Sequence, residues 1–140
     1  MMRLWDYRLV TNGLLPKSQL IAQWRELNSI FKKQDNHILI NYVYEYPKEN
    51  LKLYSRYVMV DMIRRGIKIK SLDNFNKYFG DLTVNTNYLM KQTNPFPQHH
   101  TGRYLKQCFY NLQEKYDRGQ KDFDRKNYEK LLTFICEEEN

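Results

Sequence analysis

Pro16-Lys17-Ser18-Gln19-Leu20-Ile21-Ala22-Gln23-Trp24-Arg25-Glu26-Leu27-Asn28-Ser29-Ile30-Phe31-Lys32-Lys33 is the stretch whose periodicity decides the fold. Leu20, Trp24, Leu27 and Phe31 recur at spacings of 4, 3 and 4, which on a helix makes one apolar stripe. Pro16 suits a first-turn position, where no backbone donor is needed. The pattern predicts a helix over Pro16–Lys33. Gln19, Gln23 and Glu26 fall together on one flank of the stripe, and Arg25 lies on the opposite flank.

Working outward, Ile38, Ile40, Tyr42, Tyr44 and Tyr46 alternate like a strand. No second convincing strand exists to pair with them, so an extended or turn-rich connection is expected. After Pro47 a helix is predicted from about Asn50 to Arg65. Leu51, Leu53, Tyr54, Tyr57, Val58, Met59, Val60, Met62 and Ile63 make it apolar on much of its circumference, as a central, buried helix would be. Arg64 and Arg65 close its last turn, where the helix dipole favours cations, and Gly66 supplies the stop. Residues 67–102 are the least regular, with a short helix expected around Leu72–Phe79 before Gly80. Thr93-Asn94-Pro95-Phe96-Pro97 cannot be helical, because each proline restricts the residue before it. A third long helix is predicted over Gly102–Tyr116, with Tyr104, Leu105, Cys108, Phe109 and Leu112 inward. A fourth starts after Asp124, a good N-cap, and carries Tyr128, Leu131, Leu132 and Ile135 before fraying into an acidic tail. The expected class is all-α: a compact single-domain helical fold with long connecting loops, residues 1–140 forming one domain.

Composition agrees with a folded, polyanion-facing domain. Mean hydropathy is −0.81, yet 21 of 140 residues are aromatic, which disordered chains rarely are. The net charge is +7, and three of the acids are Glu137, Glu138 and Glu139. Residues 1–136 therefore hold 23 cations against 13 acids, a bias that favours a polyanionic partner. No apolar run approaches the roughly 18 residues that span a bilayer, and the charged opening lacks the core of a secretory signal. Cys108 and Cys136 belong to no CxxC pair. Buried, inert thiols in a cytoplasmic setting are expected rather than a disulfide framework or zinc site. Nucleotide-binding glycine loops, HExxH and GxSxG are all absent. His99-His100 is a weak metal candidate, since adjacent histidines seldom point at one ion, and no metal is expected.

From Met2-Arg3-Leu4-Trp5 onward the chain resembles the pyrimidine dimer DNA glycosylase (endonuclease V-like) family. Four collinear stretches carry the resemblance: Arg3-Leu4-Trp5 with Leu9-Val10; Pro16-Lys17-Ser18-Gln19-Leu20 leading into Trp24-Arg25-Glu26-Leu27; His37 with Asn41-Tyr42-Val43 and Tyr46; and Met62-Ile63-Arg64-Arg65-Gly66. They cover roughly residues 2–70. Met2 stands directly before the arginine, and Gln19 and Ser29 stand where the family pattern has a histidine and a second arginine.

The resemblance implies a compact all-α fold and a DNA-repair reaction without cofactors. Such an enzyme cuts the N-glycosidic bond of the 5′ pyrimidine in a cyclobutane dimer, then breaks the backbone by β-elimination as an abasic-site (AP) lyase. The implied nucleophile is the chain's leading α-amine, which forms an imine with C1′ of the sugar; it falls on Met2, the aligned position before Arg3, when translation starts there, and a start at Met1 displaces the amine by one residue. Glu26 is the implied acidic partner, with Arg25 beside it and Arg3 on the DNA. An α-amine titrates near 7.7–8.0, so a useful fraction is neutral at cellular pH, and imine formation splits one hard displacement into easier steps. Lys32, Lys33, His37, Arg64, Arg65, Lys121 and Arg125 are the remaining DNA-contact candidates on a damaged duplex. A monomer is expected. The alternatives are a non-catalytic nucleic-acid-binding protein on the same scaffold and, more remotely, a protein-interaction module.

Overall fold

The computed structural model describes residues 3–84 and 93–139, and among these every regular element is helical. The helices are α1 (Tyr7–Thr11), α2 (Lys17–Lys32), a 3-10 helix (Asn41–Glu45), α3 (Lys48–Arg64), α4 (Asp73–Phe79), α5 (Gly102–Asp117) and α6 (Arg125–Glu138). The apolar stripe of α2 is buried as its spacing requires: Leu20, Trp24, Leu27, Ile30 and Phe31 all face inward. α3 packs against α1, α2 and the 3-10 helix, α4 against α2, and α5 against α6. The buried side chains form one continuous cluster.

Four readings need correction. α3 starts at Lys48, two residues earlier than its apolar pattern, because Pro47 already sits at its N-cap position. Its circumference is less buried than its composition suggests, since Val60 and Ile63 are exposed. α6 does not fray after Ile135. It continues to Glu138, and Lys106 (3.2 Å from Glu139) and Arg8 (4.0 Å from Glu138) draw its acidic end onto the body. Cys136 is exposed, whereas Cys108 is buried.

The alternating 38–46 segment forms a turn followed by the 3-10 helix. Tyr42 and Tyr46 pack their rings on Phe96 and His99 instead of on a neighbouring strand. α1 went unread in the sequence, being only one turn long. Asp6 caps it by accepting from the Arg8 N–H at 2.9 Å. Gly66 ends α3 with φ +72, a left-handed conformation in which the Ile67 N–H reaches back to Met62 O at 2.8 Å.

α2 has no N-cap side chain of its own. Its first turn is satisfied from the α5–α6 connection: Asp122 Oδ2 accepts from the Ser18 N–H at 2.7 Å. Gln120 adds bonds to Ser18 Oγ and Gln19. The Ser18 N–H holds the Asp122 carboxyl below its ordinary range, against the opposing pull of burial.

The 93–101 segment is irregular, as its prolines require. Phe96 and His100 plug it into the core at 0% and 1% exposure. His100 Nδ1 accepts from the Tyr7 N–H at 3.1 Å, and Nε2 lies 2.7 Å from Tyr42 Oη. Because Nδ1 must be unprotonated to accept, the proton sits on Nε2 and Tyr42 Oη accepts it. The ring stacks on Tyr104 at 5.0 Å.

Candidate active site

The opening segment 3–6 belongs to no helix, so its backbone groups need partners from outside. α2, α3 and α5 each supply one. Gln23, fully buried, accepts from the Trp5 N–H at 2.8 Å. Its Nε2 donates to Arg3 O at 3.0 Å and to Glu26 Oε2 at 3.1 Å. Tyr54 Oη donates to Trp5 O at 2.6 Å. Tyr104 Oη donates to Leu4 O. Gln23 and Glu26 are one helical turn apart, so the amide that clamps the chain's start also fixes the carboxylate.

Glu26 is half-buried. Burial raises its pKa, opposed by the Arg3 backbone N–H donating to its carboxylate, by the Arg25 charge and by Gln23. The site therefore holds an acid of raised pKa directly against residue 3. Leucine at position 23 would leave the Trp5 N–H and Arg3 C=O buried without partners. Gln23→Leu is expected to lower stability by about 3 kcal/mol, read from urea unfolding, since each orphaned group costs on the order of 1–3 kcal/mol.

Of the residues singled out in the sequence, the structure brings Arg3 and Glu26 together, with the exposed Arg25 adjoining. Met2 lies outside the described residues. The Arg3 side chain turns inward: its guanidinium lies 5.8 Å from the Trp5 ring, and Nη1 is buried without a hydrogen-bond partner. Lys32 and Lys33 are exposed at the end of α2. The His37 ring is exposed, while its backbone and Nδ1 organise the following turn. Arg64 is exposed at the end of α3, but Arg65 folds back onto the buried Asp61 at 3.1 Å. Lys121 is exposed beside the Asp122 cap. Arg125 pairs with Glu129 at 3.0 Å.

Sequence reasoning missed the positioning residues Gln23, Tyr54 and Tyr104. The signal for Gln23 was its place one turn before Glu26; the tyrosines act across 49 and 100 residues of chain and left none. His99 and His100 do not converge: His99 bonds Tyr46 Oη at 2.7 Å and lies 3.4 Å from Glu45. Among the described residues, no group of three or more metal-ligating side chains comes together. A cavity of about 480 Å³ between α1, α5 and α6 is lined by Arg8, Arg103, Lys106, Glu138 and Glu139 among others. Glu26 is not among its walls. No helix of the described residues is long and apolar enough to cross a membrane.

The family model described as pyrimidine dimer DNA glycosylase matches residues 2–75. That span takes in the opening segment, α1, α2, the 3-10 helix and α3, and so carries Glu26, Gln23 and Tyr54. The chain belongs to the pyrimidine dimer DNA glycosylase family, a family of DNA repair whose substrate is DNA. No curated protein and no solved structure matches it.

Proposed function

We propose that the protein, as one domain of residues 1–140, is a DNA glycosylase and abasic-site lyase acting on damaged duplex through its leading α-amine and Glu26. The observation that carries this reading is the Glu26 carboxylate accepting the Arg3 backbone N–H. Covalent geometry keeps a preceding residue's Cα about 3.8 Å from that of Arg3, so the α-amine of a chain that starts at position 2 works beside Glu26.

The amine attacks C1′ as the base departs, and C1′ carries positive charge at that moment. A carboxylate there stabilises it electrostatically. The resulting C1′ glycosylamine opens its ring, the C1′–O4′ bond breaking as O4′ takes up a proton, to give the imine, and abstraction of a C2′ proton then expels the 3′ phosphate by β-elimination. Glu26 is suited to move these protons, because burial brings its pKa toward the working range of an acid–base group. Arg25 and the lysines ending α2 supply phosphate contacts that position the duplex without reading its sequence.

Borohydride reduction on an abasic duplex tests the reading. The expected result is a covalent adduct that peptide mapping assigns to the amino-terminal residue. Salt-sensitive duplex binding with no adduct overturns the lyase and leaves the non-catalytic binder.

A further inference from the structure

Ile38 is 85% exposed. A single apolar side chain in water is ordinary; the frame that holds this one is not. The Asp35 N–H donates to Tyr44 Oη at 2.7 Å, and the His37 N–H donates to Asp35 Oδ1 at 2.9 Å. The Leu39 N–H donates to His37 Nδ1 at 3.1 Å. His37 O accepts from the Ile40 and Asn41 N–H groups at 3.0 and 2.9 Å. Ile40 is fully buried. The turn is thus tied on both sides of Ile38, and the one large apolar side chain it presents to water is presented rigidly.

Its surroundings favour an anionic partner: Lys32, Lys33 and His37 are all exposed on the same connection. The turn also lies within reach of Glu26. Seven helical residues from Glu26 to Lys33 rise about 10 Å. The five from Lys33 to Ile38 span at most about 18 Å. Both distances together fit within one turn of duplex, about 34 Å. Tyr42, four residues beyond Ile38, bonds His100, whose Nδ1 accepts from the Tyr7 N–H, which ties the turn to the start of α1.

We propose that Ile38 is a wedge that enters the base stack of a damaged duplex beside the lesion, an inference that rests on the glycosylase reading above. A damaged step stacks poorly, so it opens more readily than an intact one. An apolar side chain inserted there loses its water contact and holds the step open. A tied turn has little freedom left to lose on binding.

The test uses the full chain and a duplex carrying a non-cleavable abasic analogue with 2-aminopurine as the adjoining base. Wild-type protein should raise the 2-aminopurine fluorescence on binding. Ile38→Ala should lose most of that rise and about tenfold of its preference for the lesion duplex over an intact one. Affinity for intact duplex and its salt dependence should stay unchanged, and Ile38→Met should restore the signal. At 85% exposure the side chain supports no packing that alanine would remove. If Ile38→Ala matches wild type in both fluorescence and lesion preference, while wild type still traps covalently with borohydride, the wedge alone is overturned. If wild type binds neither duplex, the glycosylase reading falls and the wedge with it.

Discussion

Glu26→Gln is expected to slow strand cleavage at an abasic site by at least about a hundredfold while duplex binding survives. Glutamine has the same shape and still accepts the Arg3 N–H through one oxygen. It carries no charge to stabilise C1′ and takes up no proton. The measurement is single-turnover cleavage with binding followed in parallel by anisotropy. The two chemical stages can be separated in this variant. Borohydride adduct without cleavage places Glu26 in the elimination; loss of both places it at imine formation. Normal cleavage removes Glu26 from the mechanism. In wild type the raised pKa of Glu26 means that it protonates earlier as pH falls. The acid limb of the rate should therefore lie above the ordinary carboxylate value of 4.5.

The second large effect concerns stability. Burial, with the charges of Arg8 and His99, lowers the pKa of His100 from 6.5 to about 3. Below 6.5 the unfolded chain takes up a proton that the folded chain refuses, so folding weakens as pH falls, down to the folded value near 3. Between pH 6.5 and 5 the loss from this group alone amounts to about 2 kcal/mol. Protonation places a second donor opposite the Tyr7 N–H, and that contact is then lost. Urea midpoints at the two pH values measure the effect. His100→Asn keeps an acceptor for Tyr7 but does not titrate, so it should be less stable at pH 7 and nearly flat across this range. A wild-type midpoint unchanged from pH 6.5 to 5 would show that the buried ring is already free to charge.

Much of this architecture was legible because it is local. The 4-3-4 stripe of α2, Gly66 behind the basic end of α3, and the Asp124 cap of α6 each depend on residues within a turn or two. What the sequence concealed is carried by long-range bonds. Nothing near Tyr104 announces that its hydroxyl holds Leu4 O, and nothing in His99-His100 separates a core anchor from a ligand pair until Tyr7 and Tyr42 are in place. Alternation over Ile38–Tyr46 is strand-like because aromatic burial in a turn and in a sheet leave the same two-residue trace, and only the lack of a partner strand pointed to the turn-rich connection. Glu26 was singled out through the family's motif order; the amide that bonds it, Gln23, was visible only as a neighbour on the helix.

Asp122 has a kinetic consequence. It completes the first turn of α2 across 104 residues of chain, and closing so long a loop precedes any reward from the contact. During synthesis the residues before Asp122 emerge while that turn still lacks its partner, so the helix carrying Glu26 is finished only when Asp122 has left the ribosome. Completion of α2 is thereby coupled to synthesis of the α5–α6 connection, and nascent chains halted short of position 122 should expose α2 to proteases.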